Sequence, residues 1–418
     1  MSNLIINEAR LWDTLMETAA MGGLPNGGVA RLTLSHHDKQ VRDWFTAQCE
    51  ALGMSVTVDE VGNMFALRQG QNPDLLPIAM GSHLDTQPTG GKFDGILGVL
   101  GGLEVLRTLH AAGYTTDAPL MLVNWTNEEG SRFSPAMLGS GVYAGVYSRD
   151  YADGRTDVEG EAFGTALEAI GYRGDVKAGD VPFGAMFELH IEQGPILEAE
   201  NKTIGVVQGV QGMRWYEVTL TGRAAHTGST PMSMRNNALL GAARVIEGVD
   251  RVAHGFAPSA VGTVGFIEVA PNSNNVIPGQ ARFTIDLRHP EDAALDQMER
   301  EVEACIAEAA ATIGLEAEVK RIAKTDAVAF DAQCIDAVRY AADKAGLTAR
   351  DIISGAGHDA VHVARLVPTT MIFVPSEGGL SHNEAEATAS HECAAGVQVL
   401  LDAVLEYDRR HADVRKAA

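Results

Sequence analysis

Cysteine is scarce in this chain. Its four cysteines, Cys49, Cys305, Cys334 and Cys393, lie far apart and form no CxxC pair. A disulfide scaffold and a cysteine-ligated zinc finger are thereby excluded, and free buried thiols in a reducing compartment are expected. Long apolar runs are missing too, since no stretch reaches the ~18 residues of a membrane span. The opening MSNLIINEARLWDTL reads as an amphipathic helix without the basic start, apolar stretch or cleavage site of a secretory signal, so a cytoplasmic location is expected. Positive charge is outnumbered: 32 Lys and Arg against 55 Asp and Glu give a formal net charge of -23. A surface of that sign repels phosphate backbones and acidic lipid, which argues against nucleic acid and membranes as partners. A few locally placed arginines would still suffice to bind a small anionic substrate.

Several catalytic signatures are absent as well. GSGVYAG is Gly-rich but lacks the Lys-Ser/Thr of a phosphate-binding loop. No G-x-G-x-x-G follows the first strand, and there is no G-x-S-x-G elbow. Ser82 beside His83 looks like a nucleophile–base pair, but adjacent strand residues point to opposite faces. Neither an internal repeat nor a low-complexity tract is visible.

What remains is an enzyme-sized globular chain. Its 418 residues exceed the roughly 250–300 at which single cores stop growing, and 45% hydrophobic with 21% charged residues is ordinary for a soluble fold. Two domains are expected. The first half alternates strands and helices. Leu76–Met80 leads into GSHLDT, Pro119–Trp125 leads into TNEEG, and the helical spacing of Val99, Leu103, Leu106 and Leu109 between them stops near Gly113. This is a βαβ unit, whose ligand crevice lies beyond the carboxyl ends of the strands. Residues 150–182 read as an irregular excursion with one short helix near Phe163–Ile170, and MFELHIEQGP as a further strand with a polar end. From about residue 212 the pattern changes. Strands at Trp215–Leu220, Val261–Val269, Ala281–Leu287 and Glu316–Ile322 and helices at Asn236–Val252 and Glu291–Ile313 give the β-α-β-β-α-β order of a ferredoxin-like fold. After about 327 the α/β pattern resumes, with a helix at Asp331–Ala345, a strand at Thr370–Val374 and a helix at Glu392–Tyr407. The expected fold class is therefore α/β: a mixed or parallel sheet in a discontinuous hydrolase domain, residues 1–211 and 327–418, with an inserted α+β lid at 212–326.

Five metal-ligand types fall where strands are expected to end: His83, Asp94, Glu129, His190 and His382. Imidazole with carboxylate suits Zn²⁺, and Mn²⁺ or Co²⁺ as alternatives. One bridging carboxylate would make two metal sites from five residues, and paired ions can share a hydroxide. Asp94, just ahead of the helix, is the candidate bridge, although spacing alone does not assign it. Asp85, two residues after His83, would face the same way on a strand and accept the histidine N–H. Of the adjacent pair Glu128 and Glu129, one can bind metal while the other serves as general base. Taken singly, a strand-end histidine is more often structural and an EE pair more often solvated; their joint occurrence at successive strand ends is what carries weight.

GSHLDTQPTGGKFDGILGVLGGLEVLRTL, NEEGSRF, FELHIEQGPILE, GAGHDA and PSEGGLSHNE resemble the hydantoinase/carbamoylase group of the metal-dependent M20 amidohydrolases, along nearly the whole chain. The group includes yeast-type β-alanine synthases (β-ureidopropionases) and N-carbamoyl-L-amino acid hydrolases. The resemblance implies two divalent ions, one on His83, Asp94 and His190 and one on Asp94, Glu129 and His382, with Glu128 as general base. It implies that the inserted domain both closes as a lid and forms a homodimer. His226 in AHTGSTP and Asn275 in NSNNVIPG would then reach the other subunit's site to polarise the substrate carbonyl. Arg288 in DLRHP would bind the substrate carboxylate through two parallel bonds. Gln193 would lie near the ureido group, and Gly357 in GAGHDA would offer its backbone, while His358 and Asp359 carry no assigned role. After AHTGSTP the commoner basic-acidic pattern gives way to Asn236 and Asn237, which should alter lid packing more than chemistry.

The expected reaction is hydrolysis of the ureido C–N bond of an N-carbamoyl amino acid, β-alanine or L-amino acid derivative, to amino acid, ammonia and carbon dioxide. Glu128 would take a proton from the bridging water and return it to the leaving nitrogen. An allantoate or ureidoglycolate amidohydrolase is one rival, an M20 peptidase or deacylase another. A metal-stabilised binding protein without catalysis is a third, against which the acidic Glu128 beside a ligand speaks.

Overall fold

The polar clusters follow strands because apolar runs between them build one sheet. In the computed structural model, which describes the backbone of residues 4–416 and the side chains of residues 4–411, its strand order is Ser55–Val58, Met64–Arg68, Leu120–Trp125, Ile78–His83, Ala185–Ile191, Thr369–Val374 and Ile204–Val210, with Ala349–Ser354 also paired to the last. The middle four of this order, from Leu120–Trp125 to Thr369–Val374, run parallel. Every one of their residues is buried, which is why they read as unbroken apolar segments rather than as alternation. The flanking pairings are antiparallel, so the sheet is mixed. Those flanking strands were not legible in the sequence, being short or only partly apolar.

Helix Ile96–Ala111 covers this sheet, and small residues set how closely it lies: a Cβ on Gly98 would come within 2.4 Å of the Leu189 carbonyl oxygen. Helix Ser390–Lys416 packs on Ile96–Ala111 and on Ala332–Lys344, and extends past the Glu392–Tyr407 span expected for it. Near the N-terminus, Asn7 caps helix Glu8–Ala19 by accepting the Arg10 N–H; the first three residues of the amphipathic stretch lie outside the described residues. The 150–182 excursion holds two short helices, Arg149–Asp153 and Phe163–Ala169, and Phe163 and Leu167 share a small core with Phe133 and Leu138. Among the described residues no helix is long and apolar enough to cross a membrane.

The chain forms two compact units, Met1–Gln208 with Phe330–Ala418, and Gly209–Ala329. In the second, strands Gly212–Thr221, Val261–Ala270, Gln280–His289 and Glu316–Thr325 form an antiparallel sheet with Gly212–Thr221 and Gln280–His289 at its centre. Helices Ala238–Gly255 and Asp292–Ile313 pack on one face, joining Val245, Val249, Met298 and Val302 to Val218, Leu220, Phe283 and Ile285. With the opposite face open, burial alternates along Gly212–Thr221, the period-two pattern seen in the sequence. A two-stranded ribbon, Ala225–His226 with Val276–Ile277, is an addition the sequence did not announce.

Candidate metal centre

The four central parallel strands deliver the site from their carboxyl ends, the side on which open α/β sheets bind ligands. His83 ends Ile78–His83 and His190 is the penultimate residue of Ala185–Ile191. Glu128 and Glu129 follow Leu120–Trp125, and His382, in left-handed backbone at φ 54, follows Thr369–Val374. Asp94 comes in just before helix Ile96–Ala111, across Gly95. That glycine is required twice over: its φ is 66, and a Cβ there would lie 2.2 Å from the His83 ring.

Asp94 stands between two groups of donors. Its Oδ1 is 3.2 Å from His190 Nε2 and 3.5 Å from His83 Nε2, and its Oδ2 is 3.6 Å from His382 Nε2, which is 3.5 Å from Glu129 Oε2. Two triads result, His83–Asp94–His190 and Asp94–Glu129–His382, each with ligand atoms mutually within 4.8 Å. The histidine tautomers follow from their neighbours. His83 Nδ1 lies 3.0 Å from the Asp85 carbonyl oxygen and His190 Nδ1 lies 2.9 Å from that of Ile191. Carbonyls only accept, so each Nδ1 carries the proton and each Nε2 keeps a lone pair, that of His190 accepting the Gly95 N–H at 3.2 Å. His83 Nε2 is buried with no hydrogen-bond partner. An orphaned lone pair beside converging carboxylates fits a cation.

Charge points the same way. Burial raises the proton affinity of Glu128 and Glu129 well above the usual range, with Asp359 and Asp94 adding to it at Glu128 and Asp94 and Asp85 at Glu129. For Asp94 burial acts in the same direction, but His190 and His83 outweigh it and keep the carboxyl well below that range. With no cation present, burial opposes charge on His83, yet Glu128, Asp94 and Asp85 raise its proton affinity far above that of an ordinary imidazole, so Nε2 draws either a proton or a metal ion. So many acidic groups packed together call for positive charge, and divalent-metal dependence accounts for it.

Glu128 Oε2 is 3.4 Å from His83 Nε2, facing the first triad. Asp85 acts differently from the expectation. Its strand has already ended at His83, so strand alternation does not apply, and its carbonyl rather than its carboxylate accepts the His83 N–H. The Asp85 carboxylate instead accepts the backbone N–H groups of Glu128 and Glu129, both at 3.3 Å, and so fixes the turn that bears them. Gln193 Nε2 donates to Asp94 Oδ2 at 2.8 Å. His358, held neutral by burial and by His190, stacks edge-on against His190 at 4.6 Å. Asp359 accepts from Ser140.

His226, Asn275 and Arg288 belong to the second unit. His226 and Val276 are paired across the two-stranded ribbon, and Thr227 N–H donates to the Asn275 carbonyl. His226 Nδ1 accepts from the backbone N–H of Gly228 at 2.9 Å and Ser229 at 3.2 Å, which leaves the proton on Nε2 as a donor. The Arg288 guanidinium is engaged by Asp286.

Four supporting residues escaped the sequence. Glu188 is fully buried, accepting from Ser82 Oγ at 2.7 Å and Ala360 N at 3.0 Å. Glu386 accepts the N–H groups of Phe93 and Asp94, and the single hydroxyl proton of Ser381 lies between Asp94 Oδ2 at 2.9 Å and Glu386 Oε2 at 3.1 Å. Gln87 Nε2 donates to Glu129 Oε2 at 2.6 Å. Only Glu188 had a local signal: two residues before His190 on a strand, it faces the same way.

Beside the triads lies a cavity of about 210 Å³, bounded on the ligand side by Asp94, Glu128, Glu129, His190 and His382.

The sequence matches the model of peptidase family M20/M25/M40 over residues 79–406. It is 52% identical over 404 residues to an N-carbamoyl-L-amino-acid amidohydrolase of Rhizobium meliloti, covering 97% of each chain. It is 34% identical to an allantoate amidohydrolase of Bacillus subtilis over 393 residues, 92% of this chain and 94% of that one. Among solved structures, an amidase of the hydantoinase/carbamoylase family from Burkholderia multivorans superposes with a TM-score of 0.95 at 52% identity, covering 97% of this chain and 99% of that one.

Proposed function

The chain belongs to peptidase family M20/M25/M40, and from that membership and the two triads sharing Asp94 we propose that it hydrolyses the ureido C–N bond of N-carbamoyl-L-amino acids. The products are the amino acid, ammonia and carbon dioxide. The carrying observation is Asp94, which turns one oxygen to each triad with Glu128 at its side; the name borne by the 52% identical relative directs the choice of substrate.

In this reading His83, Asp94 and His190 hold one divalent ion and Asp94, Glu129 and His382 a second, with zinc suited to the donors and manganese or cobalt as alternatives. When bound, the ions supply Lewis acidity that activates water and polarises the carbamoyl carbonyl. Glu128 takes the water's proton as oxygen attacks the carbamoyl carbon. Glu128 then passes that proton to the terminal nitrogen, which leaves as ammonia. The N-carboxy product then loses carbon dioxide. His226, through Nε2–H, and Asn275 donate to the carbamoyl oxygen, Arg288 binds the substrate carboxylate, and Gln193 and the Gly357 backbone flank the ureido group. The Gly209–Ala329 unit serves as lid and homodimer surface.

Replacing Glu128 with Gln should leave metal content unchanged while kcat falls about 10²–10⁴-fold; a variant with wild-type kcat would remove Glu128 as the base. Ammonia release from N-carbamoyl-L-methionine, N-carbamoyl-β-alanine and allantoate tests the substrate. Allantoate is the second reading, favoured by the 34% identical relative of that name, and exclusive turnover of allantoate would replace the first.

A further inference from the structure

Apart from the acidic and histidine cluster and Gln193, the cavity is lined by Ala136, Met137, Ala356 and Gly357. All four are apolar or lack a side chain, so this wall offers no charge and no side-chain hydrogen bond. Met137 is the largest of them, and its position is fixed rather than fortuitous. It has left-handed backbone, φ 54 and ψ 35. Its N–H donates to the Glu128 carbonyl at 2.7 Å, and the next two N–H groups, of Leu138 and Gly139, donate to the carbonyls of Asn127 and Thr126. The Gly141 N–H donates to the Met137 carbonyl at 2.9 Å. The segment that presents Met137 is thus laced to the turn that presents Glu128, so wall and base keep a constant spacing. Across from it, Gly357 leaves little room: a Cβ there would meet Met137 Cε at 3.0 Å and Sδ at 3.3 Å.

We infer that the Met137 part of this wall seats the α-side chain of the substrate, next to the Gly357 backbone that flanks the ureido group, and that Met137 is the residue that sets the size and polarity it accepts. The inference rests on the reaction proposed above. A substrate whose carbamoyl carbon is beside Glu128 has its α-carbon only two bonds further on, which brings the side chain to the nearby neutral wall. A thioether is flexible and polarisable and closes over linear or singly branched aliphatic groups of different shape. A carboxylate or ammonium seated there would lose its water without gaining a partner. An aromatic ring would need the volume that Met137 fills.

The test is a panel of N-carbamoyl-L-amino acids with methionine, leucine, phenylalanine and aspartate side chains, assayed on metal-loaded wild type and on Met137→Ala and Met137→Leu. Ratios of kcat/KM within one preparation are independent of how much of it is folded. Wild type should favour methionine over aspartate by about 100-fold, and Met137→Ala should raise the phenylalanine-to-methionine ratio by about 10-fold, the scale on which apolar pockets discriminate. Met137→Leu, of similar volume, should restore the wild-type ratio to within about 3-fold. Carbamoyl substrates turned over with a ratio that Met137→Ala does not move would overturn the pocket assignment alone. Turnover of allantoate and of no N-carbamoyl amino acid would overturn the proposed reaction and the pocket with it.

Discussion

His83 and His190 close two buried parallel strands, each about 1% exposed, with both rings locked by an Nδ1–H bond to a backbone carbonyl. His382, the imidazole of the other triad, stands on a turn in left-handed backbone with its side chain 50% exposed. Asp94 serves both triads, yet one is built into the sheet and the other is completed by a loop. A site whose ligands are already held loses little freedom on binding, whereas one that must order an exposed side chain loses more. The difference predicts a tightly held ion at His83–Asp94–His190 and an exchangeable one at Asp94–Glu129–His382.

The largest effect that can break this contrast is a ligand deletion on each side. A structural ion bound by about four ligands is worth roughly 10–16 kcal/mol, so one ligand accounts for about 3 kcal/mol, or about 100-fold in Kd. His190→Ala should lose at least that much at the buried site. His382→Ala should retain one ion per chain at close to wild-type affinity. Chelator titration followed by elemental analysis distinguishes the two; a wild type that releases both ions in a single step would make the triads equivalent.

How much of this was readable beforehand depends on the range over which each feature is encoded. His83, Glu129 and His190 were legible because strand-end placement is a local property of apolar runs followed by polar residues. The ferredoxin-like order was legible through period-two alternation and two long helices. Asp85 was legible as a neighbour of His83, but which of its atoms takes the Nδ1–H depends on where the strand stops: the carbonyl accepts at 3.0 Å and the carboxylate stands 3.7 Å away. Glu386 was invisible because its partners, Phe93 and Asp94, are about 290 residues away and only folding brings them together. The split between a rigid and an exposed triad was equally hidden, since the exposure of His382 is decided by tertiary burial.

An intermediate effect sharpens the contrast on the buried side. Glu188 joins three pieces of the first site: Ser82 next to His83, its own strand carrying His190, and the backbone of Ala360 after His358. Removing a partner that orients a metal ligand costs about 10–100-fold in affinity. Glu188→Ala should fall in the upper half of that range for the tightly held ion and leave the exchangeable ion unaffected. Glu188→Gln keeps one acceptor oxygen and should recover part of the loss. Equal weakening of both ions would mean that Glu188 supports the fold at large rather than one triad.

The smallest effect belongs to the exposed side. Glu129 follows its strand on a turn, and Gln87 donates to the same Oε2 that faces His382. That bond fixes which way the carboxylate points, but Glu129 is also held by its own backbone N–H on Asp85, so losing Gln87 should not unseat it. Gln87→Ala should therefore weaken only the exchangeable ion, by about 10-fold, the lower end for an orienting partner. The expected signature is a rise in the metal concentration needed for half-maximal activity, with kcat at saturating metal within about 2-fold of wild type. If kcat fell instead while metal affinity held, Gln87 would be acting on the substrate, and the exposed triad would owe its looseness to His382 alone.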